Sequence, residues 1–149
     1  MLAEVWKHLS TARHGRDVTL SVKTNGPIEC DVDARAIQQV FRNIIENALN
    51  VCSDLATIDM RAWKMTLRQR DAIEIAFHNN GPQLTHEQQM KMFEPFFTTD
   101  TKGTGLGMTI AKRIVEGHGG SLRASNSVPH GVVFVITLPR IAPENPSLS

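Results

Sequence analysis

Between residues 34 and 52 the apolar side chains Ile37, Val40, Phe41, Ile44, Ile45, Ala48 and Leu49 recur at spacings of three and four. Advancing about 100° per residue, they line one broad face, which predicts an amphipathic helix seated on a core. Asp33 stands where its N-cap belongs. Such a helix needs a partner layer, and alternating segments supply it. Residues 18–22, 28–32, 57–66, 72–77, 121–125 and 131–138 alternate with period two and predict strands. The charged stretch Arg68-Gln69-Arg70-Asp71 turns the third of these into the fourth as a β-hairpin, and Pro129-His130-Gly131 turns the last two. Further helices are expected over 1–13, from the capping box Thr85-His86-Glu87-Gln88 to about residue 93, and over 106–117. His118-Gly119-Gly120 stops the last one. The expected architecture is α+β: a two-layer α/β sandwich, with a mixed, mostly antiparallel sheet packed on three helices.

Several classes are excluded early. No run of about 18 apolar residues exists, so no membrane-spanning helix is expected, and residues 1–17 lack the apolar centre of a signal peptide. The formal net charge of +1 over 149 residues gives no global argument for nucleic acid or membrane contact. Cys30 and Cys52 form no metal motif and read as two buried, reduced thiols of a cytoplasmic domain. The histidines show neither HxxxH nor HExxH spacing, and no GxSxG elbow or internal repeat is present. The polar, Pro-bearing residues 140–149 are expected to be a disordered tail.

Four elements carry chemical suggestion. Asn43, Asn47 and Asn50 fall on one narrow stripe beside the apolar face of the 34–52 helix. Asparagine is a poor mid-helix residue, so the stripe is an anomaly. Its amide oxygens suit a hard cation and its NH₂ groups suit phosphate oxygens; a solvated polar face is the plain alternative. Asn79-Asn80-Gly81-Pro82 follows an apolar strand, where a side chain could meet the edge of a flat ligand and Gly81 would let it approach. A plain turn would also explain it. Met92-Phe93-Glu94-Pro95-Phe96-Phe97 places aromatic anchors around a proline, as a hinge or as pins to the core. Gly103-Thr104-Gly105-Leu106-Gly107 opens a helix, where backbone N–H groups and the helix dipole favour phosphate. This run is neither a Rossmann fingerprint nor a P-loop, and the HRD and DFG signatures of eukaryotic protein kinases are absent.

In this order the four elements resemble the catalytic, ATP-binding domain of sensor histidine kinases, a fold of the Bergerat type shared with DNA gyrase, MutL and the 90-kDa heat-shock chaperones. The resemblance spans about residues 15–139, with 1–14 as a linker or the end of a dimerisation helix. The run 41–50 looks like the N box, 79–82 the G1 box, 93–96 the F box and 103–107 the G2 box. It implies ATP contacts from Asn43, Asn47, Asn50, Asn79, Gly81, Leu84, Phe93, Lys102, Gly103, Thr104, Gly105, Leu106 and Gly107. It also implies Mg²⁺ held by Asn47 with help from Asn43, and a lid over about 95–107. No residue of this chain is assigned as catalytic.

Three departures stand out. Asn79 replaces the usual Asp, keeping an acceptor for the adenine amino group without its charge. Gln83 replaces a glycine and would crowd the pocket, and the lid reads Thr98-Thr99-Asp100, leaving Lys102 as the γ-phosphate cation. Asn43 stands where the ATP-hydrolysing relatives carry a Glu base, which disfavours hydrolysis and favours phosphoryl transfer by positioning. The implied function is to bind Mg·ATP and donate the γ-phosphate to a His on a separate dimerisation domain, with a response regulator as the onward partner. The implied location is cytoplasmic, with no membrane contact by this segment. A degenerate nucleotide-binding regulatory module and a Ser-directed kinase of the anti-sigma-factor type are the alternatives.

Overall fold

The computed structural model describes residues 2–9, 13, 17–26, 28–52, 55–97 and 105–141. In chain order the elements are α1 (Leu2–His8), β1 (Asp17–Thr24), α2 (Ala34–Val51), β2 (Leu55–Leu67), β3 (Arg70–Asn79), α3 (His86–Lys91), α4 (Gly107–Gly117), β4 (Ser121–Asn126) and β5 (Val132–Pro139). The strands form one sheet in the order β1-β2-β3-β5-β4. Only β1 and β2 run parallel; β2–β3, β3–β5 and β5–β4 are antiparallel. A parallel pair requires a crossover connection, and α2 lies within it. The result is the expected two-layer α+β sandwich.

The core lies between the sheet and α2. Ile58, Phe77, Phe134 and Ile136 point from the strands, and Ile37, Val40, Ile44, Ile45 and Leu49 meet them from the helix. Phe41 reaches Phe77 with ring centroids 5.4 Å apart, tilted by 56°, a favourable edge-on arrangement. The seven apolar residues read from the periodicity are all buried. Asp33 caps α2 as expected, its carboxylate accepting from the N–H groups of Arg35 and Ala36 at 3.0 and 3.2 Å.

Helix α4 lies against α2 and buries Met108, Ala111 and Val115. At its far end His118 bridges the two helices. Its Nδ1 meets the Ile114 carbonyl at 2.8 Å and its Nε2 accepts from the Asp33 N–H at 3.1 Å. The pair of bonds selects the neutral tautomer protonated at Nδ1.

The sandwich departs from expectation in detail. Residues 28–32 form no strand. Ile28, Cys30 and Val32 turn one side to the core, which explains the alternation, but the segment has no ladder and is tied to the end of the sheet through Arg140, whose carbonyl accepts the Asp31 N–H at 2.8 Å. Cys52 is buried, whereas Cys30 is only half-buried. Desolvation, followed by the charge of Asp31, raises the Cys30 pKa, disfavouring its thiolate. The β2–β3 turn is confined to Arg68 and Gln69, both at positive φ, so Arg70 and Asp71 belong to β3. Helix α3 is capped by the predicted box, ends at Lys91 and buries nothing, so the helix layer rests on α2 and α4.

A fourth helix joins them. Val5 and Leu9 of the N-terminal segment are buried in the core, and Trp6 lies under the Arg13 guanidinium at 4.1 Å. At the other end Arg140 is fastened by its N–H to Asp71 and its Nε to the Glu29 carbonyl. The rest of the predicted tail, 142–149, lies outside the described residues. No helix among the described residues is long and apolar enough to cross a membrane.

The His118 bridge and the Asp33 cap use different atoms of residue 33. Asp33→Ala is therefore expected to cost about 1 kcal/mol. His118→Ala is expected to cost a further ~1 kcal/mol, nearly additively. Urea denaturation of the two single variants and the double variant checks both numbers.

Candidate functional site

The three asparagines of α2 share a stripe but not an environment. Asn43 is 7% exposed, Asn47 half-buried and Asn50 exposed, because α2 emerges from under α4 toward its C-terminus. Asn43 is spoken for on both sides. Its Oδ1 accepts from Gln39 Nε2 at 2.7 Å, and its Nδ2 donates to the Gly107 carbonyl at 2.8 Å. It thus clasps the middle of α2 to the first turn of α4. Among the described residues Asn47 and Asn50 make no side-chain hydrogen bond, which leaves their amides for a ligand.

The start of α4 is the second wall. Its N-cap position is Leu106, and no side chain caps the helix. The first-turn N–H groups have no partner within a helix, and the dipole makes that end favourable for an anion. The preceding loop is pinched at its base: the Phe96 N–H bonds the Gly105 carbonyl at 3.0 Å. Gly105 has φ +73°, and a Cβ there would overlap the Phe96 carbonyl carbon and come within 2.7 Å of its Cα. Phe96 itself has φ +66° and is 75% exposed, so it is not a core anchor. Phe93 is half-buried, accepts Thr109 Oγ1 on its carbonyl at 2.8 Å and lies under Lys112 Nζ at 5.0 Å. Lys102, Gly103 and Thr104 lie outside the described residues, as do 98–101.

The third wall is the exit from β3. Asn79 is 2% exposed, and its Oδ1 accepts the Gly81 N–H at 2.9 Å, leaving one lone pair on that oxygen. A Cβ on Gly81 would lie 3.1 Å from both Asn79 Oδ1 and Cys52 Sγ, so glycine lets this turn sit against the end of α2. Leu84 packs half-buried on the core. Gln83 is exposed and donates to the Ser127 carbonyl at 2.7 Å, toward the β4–β5 turn.

Among the described residues no group of three or more His, Cys, Asp or Glu could hold a metal. The oxygens on offer are neutral amides. Magnesium is bound chiefly by anionic oxygen and water, so these residues fit a metal that arrives already bound to phosphates. Asn47 has the open amide for it; Asn43 has one lone pair left on an oxygen already hydrogen-bonded.

One family model, described as histidine kinase-, DNA gyrase B- and HSP90-like ATPase, matches residues 32–142. The chain belongs to this ATPase family. It is homologous to sensor histidine kinases. The signal transduction histidine-protein kinase AtoS of Escherichia coli is 33% identical over 109 residues, covering 73% of this chain and 17% of that protein. Sensor histidine kinase ZraS of Salmonella typhimurium is 30% identical over 135 residues, covering 90% and 28%. The chain therefore spans under a third of the length of these two relatives. Among solved structures, the nucleotide-free catalytic domain of histidine kinase ThkA has a TM-score of 0.81 at 29% identity, covering 94% of this chain and 90% of that one.

Several fastenings around these three walls carry no motif. Gln39 lies one turn before Asn43 on the same stripe, so its helical spacing was the available signal. Thr109 and Asn126 act through backbone partners distant in sequence, 16 and 42 residues away, and no local pattern marks them.

Gly105 and Gly107 belong to one motif but differ physically. A Cβ on Gly107 would come no closer than 3.7 Å to the Asn43 side chain. Gly107→Ala is expected to be neutral or stabilising by up to ~0.5–1 kcal/mol. Gly105→Ala should cost about 2 kcal/mol or more and open the pinch. Thermal and urea unfolding of both variants measures the difference.

Proposed function

We propose that this chain is the ATP-binding catalytic domain of a two-component sensor histidine kinase. In this reading it holds Mg·ATP and presents the γ-phosphate to a histidine on a dimerisation domain carried elsewhere in the kinase. The observation that carries it is the Asn43–Gly107 bond, which sets the uncapped N-terminus of α4 against the helix that carries the unengaged Asn47, while the Gly81 turn after the buried Asn79 packs on the end of that same helix. These are supports for a metal-bound triphosphate at one end and an adenine at the other. Solved histidine kinase ThkA in complex with the response regulator TrrA shares the fold, at TM-score 0.76 and 26% identity; a response regulator is accordingly the proposed onward partner. A cytoplasmic location goes with that partner.

Each residue then has a task. Asn47 supplies the amide ligand to magnesium; the metal, when bound, neutralises charge on the phosphates. Asn43 holds α4 against α2, so that the helix N–H groups stand at a fixed distance from Asn47. Asn50, exposed at the mouth of the stripe, and Lys102, Gly103 and Thr104 of the lid attend the phosphates. Gly105, Leu106 and Gly107 set the start of the helix that receives them. Asn79 accepts the adenine amino group, with Gly81 and Leu84 beside the ring and Phe93 behind the lid. No Glu stands at Asn43 to activate water, so hydrolysis is slow. The chain contributes positioning and charge neutralisation, and the chemistry of the acceptor belongs to the partner histidine.

Calorimetry with ADP and Mg²⁺ tests the binding half. Saturable binding is expected, lost by at least about tenfold in Asn47→Ala and strengthened about tenfold in Asn79→Asp, where a charged acceptor replaces a neutral one. With labelled ATP, the chain alone should stay unlabelled, while a histidine-bearing dimerisation domain added in trans should gain acid-labile phosphate. No binding at millimolar nucleotide would favour a regulatory module; acid-stable phosphate would favour a Ser-directed kinase.

A further inference from the structure

Beyond Asn79 the chain leaves the sheet and must place Leu84 without a ladder to guide it. Asn80 continues the pairing for one residue: its carboxamide accepts the Thr57 N–H at 2.9 Å and donates to the Leu55 carbonyl at 2.8 Å. Four residues later, at Leu84, another carboxamide takes over. Asn126, the last residue of β4, accepts the Leu84 N–H on Oδ1 at 2.7 Å and donates from Nδ2 to the Leu84 carbonyl at 3.0 Å. A carboxamide offers the donor and acceptor of a peptide group, so Asn126 acts as one extra rung at the end of β4. Gln83, bonded to the Ser127 carbonyl at 2.7 Å, fastens the preceding residue to the same turn.

We propose that Asn126 is a positioning residue for the base end of the nucleotide site, holding Leu84 at a fixed distance from Asn79. The inference rests on the reading of this chain as a nucleotide-binding domain. Its physical basis is a separation of fastenings. The phosphate end is held by the Asn43–Gly107 clasp and the Phe96–Gly105 pinch, both on α2, α4 and the lid base. Asn126 bonds none of these; both its side-chain bonds go to Leu84. Loss of Asn126 therefore loosens the wall beside the base and leaves the phosphate cradle intact. Among the described residues the one other bond to the Leu84 carbonyl, from Gln89 Nε2, is long at 3.5 Å and weak.

The test compares binding of Mg·ADP, Mg·GDP and Mg-tripolyphosphate to the whole chain and to two variants. Asn126→Ala should weaken ADP about tenfold, narrow the ADP-to-GDP preference, and leave tripolyphosphate affinity unchanged. Asn126→Asp keeps the shape but replaces the donor with a charged acceptor facing the Leu84 carbonyl. It should move the same quantities in the same direction, and it carries the test if the alanine variant does not fold. Unchanged ADP affinity and base preference, with only a lower melting temperature, would overturn the inference and reduce Asn126 to a fold fastening. Equal losses for all three ligands would overturn it too. Failure of the unaltered chain to bind any nucleotide would instead remove the functional reading on which it stands.

Discussion

The site depends on one buried carboxamide. Asn43 receives Gln39 on its oxygen and gives its NH₂ to Gly107, joining the helix that carries the asparagine stripe to the helix whose N-terminus faces it. Apolar packing between α2 and α4 is strong but weakly directional; Met108, Ala111 and Val115 would tolerate some sliding. A hydrogen bond with a fixed partner atom selects one register. Losing this bond would leave the half-buried Gly107 carbonyl without its partner at a cost of about 1 kcal/mol, which favours the closed clasp. At the other end His118 repeats the arrangement, joining the last turn of α4 to the N–H of Asp33. Two polar ties, one at each end, turn a greasy interface into a defined gap.

Neutrality is the second theme. The described walls offer amides, backbone N–H groups and one helix terminus, with no acidic group of three that could hold a metal by itself. Such a surface holds an anion without binding a bare cation, which suits a ligand that brings metal and phosphate together. In the proposed reading a net charge of only +1 is no obstacle: local dipoles would meet the ligand, and no global field is needed. Where the amides stand is decided by fastenings of the same chemical kind, from Asn80 on β2 to Asn126 on Leu84. In that reading carboxamides therefore serve both as ligand groups and as rungs that set where those groups lie.

The periodic parts of the fold were legible in the sequence because one rule governs them. Every apolar residue on the 34–52 stripe is buried, and the Asp33 cap and the Thr85–Gln88 box form as read. The segment 28–32 misled because alternation reports one-sided burial, and a core-packed loop shows that as well as a strand does. The motif residues were legible as types, yet their differing environments were not. Asn43 and Asn47 look alike in sequence; only the packed helix shows that one amide is engaged on both sides and the other is open. Gln83 looked like an obstruction and instead points to the Ser127 carbonyl. Asn126 bears on a residue 42 positions away, a relation that exists only once the sheet has brought β4 beside the exit of β3.

In the proposed reading nucleotide meets the open amides, while the engaged one holds the frame. Side-chain NH₂ resonances of asparagine, followed by nuclear magnetic resonance as Mg·ADP is added, test it directly. Large shifts are expected for Asn47 and Asn79 and little change for Asn43, whose NH₂ stays on the Gly107 carbonyl. A titration in which Asn43 moves as far as Asn47, or in which neither Asn47 nor Asn79 responds, would contradict it.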